Sequence, residues 1–390
     1  VKIIVLSICI LFLNSSRAEF FDSANHPSNF RRLLGYKEIS NFNLLPLKGK
    51  LIDKRIGWSE TYWPSNKGGI AYRWNHPNPR PFQFKLYSLA ELKKMSLKEI
   101  STLSPAELYD IAGSDYNYTL TKKTLSLFSQ RDLWWEGICH GWAQAATHYP
   151  EPRPVLITNK EGLKIPIGSS DVKGLLSMHE AYNYKGEKFG FVGKRCRKNG
   201  KVPGEGDDRD LSTDPPSEED SNTEECRDVN AGAFHIVLAN MTGILGKGFV
   251  TDIDRYNDVW NQPVVGYTSE VLEELTPHAS VMINRVKKIL RMKTIFYYGE
   301  ELKFFTQELA DQGHKNFVSK KPVNGTQHQK ILSRVYEYFL ELDHEGEIVG
   351  GEWITETRPD FIWNYSKSKR FKNYPIPLEN LGKIYRPVSS

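Results

Sequence analysis

The sequence predicts an α+β protein with an antiparallel sheet. Helix-start signals crowd the stretch from Ser88 to Arg131, strand-like runs dominate beyond residue 230, and the two kinds of segment do not alternate as parallel βαβ units require. No internal repeat or heptad pattern interrupts that order.

The first element is a targeting segment, residues 1–18. Lys2 precedes an apolar run from Ile3 to Leu13, and Ser16 and Ala18 supply the small residues of a cleavage site. The run is shorter than the roughly 20 apolar residues that span a bilayer. No later segment is apolar enough to span, so the sequence predicts an exported, soluble chain, secreted or held in the cell envelope, with no stable membrane span.

Residues 19–130 form an N-terminal wrapping segment followed by helices. Glu19 to Gln83 is rich in Pro, Asn, Gly and aromatic residues and lacks a long periodic run. SLAELKKM, SLKEI and SPAELYDI then each begin with Ser and carry an acidic residue within the next few positions. A hydroxyl and a carboxylate so placed satisfy unpaired N–H groups at a helix start.

The remainder, 131–390, forms the main folded unit. Within it, 201–225 carries ten acidic residues, two adjacent prolines and almost nothing apolar, the composition of a mobile insertion. Farther on, AFHIVLAN and GFVTDI read as two strands joined through the glycines of MTGILGKG. RVYEYFLELD and EIVGGEWI read as a second hairpin about Asp343–Gly346, and Val286–Gly299 suits either a strand or a helix.

Composition excludes some functions. A net charge of +5 without a basic cluster, and the absence of RNP-type or zinc-finger spacing, argue against nucleic acid. Of the four cysteines, Cys9 leaves with the targeting segment, and an odd number, Cys139, Cys196 and Cys226, remains. Cys196 and Cys226 flank the acidic insertion and can close its base, contributing roughly 3–4 kcal/mol. That leaves Cys139 as the odd thiol. No two cysteines share a metal-ligand spacing.

The chemistry concentrates in Trp134-Trp135-Glu136-Gly137-Ile138-Cys139-His140-Gly141-Trp142. Gly137 permits a close approach to the cysteine, and the helix formers after it place Cys139 at a helix start, where the backbone dipole favours thiolate. His140 is adjacent and points about 100° away on a helix, so a base must come from elsewhere. His235 stands out because it interrupts the apolar run Ala233–Leu238. If Asn240 pairs with Phe249, His235 lies opposite Asp254, with Asp252 a diagonal neighbour on the same face. Either carboxylate then orients the imidazole.

These motifs carry a resemblance. The run from Glu136 to Ala146 resembles the cysteine helix of papain-like proteases and transglutaminases. More specifically, Tyr62-Trp63-Pro64, Leu103–Glu107, Cys139–Trp142, Gly232–His235, Val259–Val264 and Gly350–Trp353 resemble the transglutaminase elicitor family of oomycete cell walls and its bacterial relatives. The resemblance implies a papain-like or transglutaminase-like core, a cysteine-bearing helix packed on an antiparallel sheet, with N-terminal helical decoration. It also implies a Cys139–His235–Asp252 triad, its acid eight residues before Trp260, that transfers protein glutamine acyl groups to lysine or other primary amines. The partners it implies are glutamine- and lysine-bearing proteins, including cell-wall or host surface proteins.

Val259–Val264 is similar to the segment through which plants perceive the oomycete enzymes, with departures at Val265 and Tyr267. Leu133 stands where papain-type sites carry a glutamine oxyanion donor, leaving the Cys139 N–H and Trp135 as candidates. The chemistry needs no cofactor or metal, and no EF-hand loop is present. Three other readings fit the same residues: a papain-like cysteine protease or amidase, a non-enzymatic surface protein that binds a partner through Trp260–Val264, and a structural wall protein that retains the triad without using it.

Overall fold

The computed structural model describes residues 20–194, 228–254, 258–277, 285–302 and 330–388. The targeting segment, the acidic insertion, Cys196 and Cys226 lie outside the described residues.

The helix-start signals are realised locally. In chain order the helices are α1 (Arg31–Leu34), α2 (Leu89–Leu92), α3 (Leu97–Ile100), α4 (Pro105–Ala112), α5 (Thr119–Leu125), α6 (Cys139–His148), α7 (Ser169–Tyr182) and α8 (Ala231–Leu238). Ser88, Ser96 and Ser104 cap α2, α3 and α4, each paired with the glutamate three residues on in a reciprocal capping box. A cap of this kind is worth about 1 kcal/mol. The third box is also tied inward, because the buried Glu107 carboxylate receives both Nε and Nη2 of Arg73 at 2.9 and 2.6 Å.

The strands are β1 (Lys48–Lys50), β2 (Val155–Thr158), β3 (Lys164–Ile167), β4 (Phe189–Gly193), β5 (Val250–Asp252), β6 (Asn261–Leu275), β7 (Lys288–Gly299), β8 (Ile331–Leu342), β9 (Ile348–Trp353) and β10 (Phe361–Tyr365). An eight-stranded sheet runs β4-β10-β5-β6-β7-β8-β9, with β1 also on β6, and its pairings are antiparallel. β2 and β3 form a separate hairpin. This is the α+β architecture that the sequence predicts. The β8–β9 hairpin turns at Asp343–Gly346 as expected, with Gly346 at φ +83°. The ambiguous stretch at Val286–Gly299 contains the strand β7, which lies between β6 and β8.

One prediction is corrected. Ala233–Leu238 is not a strand but part of α8, and the expected pairing of Asn240 with Phe249 does not form. Asn230 caps the helix, its side chain accepting from the Gly232 and Ala233 N–H groups. Every residue of α8 is buried, so the run is apolar all round and shows no helical periodicity to read. A π turn over Ala239–Ile244 extends it, and Asn240 turns its side chain to Ile39 and Ile236. GFVTDI does contain a strand, β5, but its neighbours are β6 and β10.

The core has two apolar clusters. One gathers Trp58, Trp63, Trp142 and the inner faces of α4 to α7; the other packs α8 against the sheet. Helix α6 lies at their seam, packed on α7, β6 and β5. Among the described residues, no helix is long and apolar enough to cross a membrane.

Candidate active site

Cys139 is the first residue of α6, as the helix formers behind it predict. Gly137 allows the chain to enter the helix against the 62–63 segment: the Ile138 N–H donates to the Tyr62 carbonyl at 2.7 Å, and a Cβ on Gly137 would stand 2.4 Å from that same oxygen. Gly141 lets α6 close on α7, because a Cβ there would meet the Ser177 carbonyl oxygen at 2.1 Å. Trp142 completes the seat, its indole N–H donating to Trp58 O at 3.1 Å.

The Cys139 thiol is free and 5% exposed. It opens on a cavity of about 400 Å³ walled by Trp135, Glu136, His140, Tyr182, Val259 and Asn261, among others. A larger cavity, about 550 Å³, lies between Asp110, Asn159 and Lys383 and touches none of these residues. Beside the thiol, Trp260 rests edge-on against Tyr62 and 6.1 Å from the exposed ring of Trp134. Val259 and Asn261, within the Val259–Val264 segment that resembles a recognition peptide, therefore line the thiol cavity.

The sulfur has two polar neighbours. Asn261 Nδ2 donates to Sγ at 3.6 Å, and the Val259 carbonyl lies 3.7 Å from it. Asn261 is held in turn by the Trp363 indole, whose N–H donates to Oδ1 at 2.8 Å. In the β5–β6 register Asp252 is the direct partner of Asn261, so the two side chains share a face. Asp252 is fully buried, and both it and the part-buried Glu301 are close enough to act electrostatically on the thiol.

Electrostatics corrects the expectation of a ready thiolate. Burial pushes the Cys139 thiol up to about 12, the Glu301 and Asp252 carboxyls push the same way, and the backbone N–H and the side-chain amide of Asn261 act against them. Burial also holds the Glu301 carboxyl well above the usual carboxylate range. These shifts favour the thiol form of Cys139, from which any nucleophilic role requires a proton acceptor.

The structure separates the predicted triad. Cys139 and Asp252 share one neighbourhood; His235 occupies another. His235 lies on α8, whose apolar residues form part of the sheet-packed cluster, whereas Cys139 belongs to the helical one. Its Nδ1 is 2.8 Å from the Tyr338 hydroxyl, and its ring stacks on Phe42 at 5.9 Å. The Tyr338 hydroxyl continues to Thr294 and then Ser269, each step 2.7 Å. Burial alone lowers the His235 imidazole to about 4. Asp254, the other carboxylate considered, is paired with Arg334 at 3.3 Å. His140 lines the thiol cavity and is likewise lowered to about 4 by burial, partly offset by the Ala181 backbone.

Sequence reasoning missed Asn261. Its signal lay in the spacing of FVTD and NQPVV, two short strand-like runs whose pairing places Asn261 opposite Asp252. The profile of the transglutaminase elicitor family matches residues 132–377, which is well over half of the chain. The chain belongs to the transglutaminase elicitor family. The matched span contains Cys139, Asp252, Asn261 and Trp363. In fold, the chain is similar to the solved structure titled "Crystal structure of the GP42 transglutaminase from Phytophthora sojae", with 20% identity and a TM-score of 0.62, over 94% of this chain and 98% of that one. At that identity the likeness speaks for the architecture alone. No curated protein matches the chain.

Proposed function

We propose that this member of the transglutaminase elicitor family is an exported protein-glutamine γ-glutamyltransferase with Cys139 as nucleophile. The observation that carries the reading is a free thiol at the head of α6, opening on a cavity and contacted by an oriented N–H donor. Cys139 sulfur attacks the carboxamide carbon of a protein glutamine, and the carbon–nitrogen bond breaks. The proton taken from the thiol leaves with ammonia. A lysine or other primary amine then attacks the thioester, gives up its proton, and returns the sulfur.

Asp252 fits the role of the carboxylate near the reacting pair better than Asp254, which Arg334 already engages. The proton carrier is His235 on the family pattern and His140 on the cavity it lines; His235 must leave Tyr338 to serve the thiol. The test is single-turnover labelling of a glutamine-bearing protein with a fluorescent primary amine. Cys139→Ala abolishes labelling, and of His235→Gln and His140→Gln the variant that lacks the base collapses it. Normal labelling by Cys139→Ala refutes the proposal.

A further inference from the structure

We propose that Asn261 is a catalytic residue whose carboxamide N–H stabilises negative charge on Cys139 sulfur, and that Trp363 is the positioning residue that fixes the amide's orientation. The proposal rests on Cys139 being the nucleophile.

An asparagine amide can present either its oxygen or its nitrogen to a neighbour, and its partners decide which. The Trp363 indole is a donor with no acceptor, so the amide edge it touches at 2.8 Å is Oδ1. The nitrogen is thereby turned to the sulfur, 3.6 Å away. The Val259 carbonyl, 3.7 Å from the sulfur, can accept a hydrogen bond from the thiol but cannot favour thiolate. The sulfur thus has both an acceptor suited to its protonated form and a donor suited to its charged form. Of the groups acting on the thiol among the described residues, the carboxyls of Glu301 and Asp252 oppose ionisation, and Asn261 favours it through its backbone N–H and, beside that, its carboxamide, the part that a side-chain substitution removes.

The sheet builds this arrangement from three adjacent strands. Trp363 of β10 pairs with Val250 of β5, which pairs with Pro263 of β6, so Asn261 lies two residues along from the Trp363 row. Asn261 is 6% exposed and starts β6, so the strand's backbone bonds hold its Cα in place while Trp363 holds its amide plane. A donor within hydrogen-bonding reach of the attacking sulfur is also near the oxygen that becomes negative after attack, where electrostatic stabilisation counts most.

The test is the pH dependence of Cys139 alkylation by iodoacetamide, read by peptide mapping on the full chain. A hydrogen bond to a charged group is worth about 1.5–3 kcal/mol, and one pKa unit is about 1.4 kcal/mol. Asn261→Ala therefore shifts the alkylation profile up by about one unit or more, a roughly tenfold slower reaction at any pH below the midpoint. Trp363→Phe keeps the ring packing, frees the amide to turn, and shifts the profile the same way by less. The double variant matches Asn261→Ala alone. A purely structural asparagine would lower the melting temperature and leave the profile in place. An Asn261→Ala profile superposed on the wild-type one overturns the proposal; if that variant does not fold, an unmoved Trp363→Phe profile does so. Amine incorporation measured in parallel separates this from the transferase reading, since a shifted profile in a protein that incorporates no amine refutes only the latter.

Discussion

Gly141 sets how closely the Cys139 helix α6 approaches α7, and replacing it should displace the thiol. In Gly141→Ala the new Cβ would stand 2.1 Å from the Ser177 carbonyl oxygen, 2.7 Å from Ala181 Cβ and 2.9 Å from Ala181 N. An ordinary carbon–oxygen contact is about 3.3 Å, so α6 must withdraw by about 1 Å, and the obstacle is backbone that no rotamer change can clear. Alanine gains up to about 1 kcal/mol of helix propensity over glycine. Overpacking costs about 1–3 kcal/mol, and a clash this deep belongs at the top of that range, so the net effect is destabilising by about 2 kcal/mol. Catalysis suffers more, because a misplacement of about 1 Å can cost about 10²-fold in rate. Amine incorporation and thermal unfolding are measured on the same preparation, with Gly113→Ala as control, where a Cβ meets carbonyl oxygens only at 3.4 and 3.6 Å. Gly141→Ala with wild-type rate and melting temperature would refute the reasoning.

Two further outcomes are expected. His235 is neutral in the folded protein down to about pH 4 but protonates near 6.5 when unfolded, so its contribution to stability is present above 6.5 and is lost as pH falls toward 4. The stability difference between wild type and His235→Phe should therefore change by about 3 kcal/mol between pH 7 and pH 4, in favour of the variant at low pH; urea titrations at the two pH values check this, and a constant difference contradicts a buried neutral imidazole. Thiol counting on unfolded, unreduced protein lacking residues 1–18 should find one free cysteine, mapped to Cys139, whereas three free thiols would remove the Cys196–Cys226 pairing.

What was legible in the sequence is what local chemistry decides. Ser88, Ser96 and Ser104 signal helix starts because hydroxyl and carboxylate act within four residues, and Gly137 and Cys139 signal a helix entry for the same reason. The β8–β9 turn is short and carries its own glycine. His235 was misplaced because α8 is buried on every side, and a helix without a polar face reads as a core strand. The hairpin built on that strand then assigned β5 the wrong partner. Its true partners, β6 and β10, begin beyond residues 260 and 360, and Trp363 of β10, which donates to Asn261, is 102 residues from it in sequence. The separation of His235 from the thiol follows from packing into two clusters, which no spacing along the chain encodes.

The central claim is that Cys139 carries the acyl group. Wild-type protein incubated with a glutamine-bearing peptide and no amine, then quenched in acid, should gain the mass of the peptide less ammonia. Digestion should place that adduct on Cys139, and adding a primary amine before the quench should discharge it. An unmodified Cys139 under conditions where amine is incorporated, or an adduct on another residue, contradicts the account.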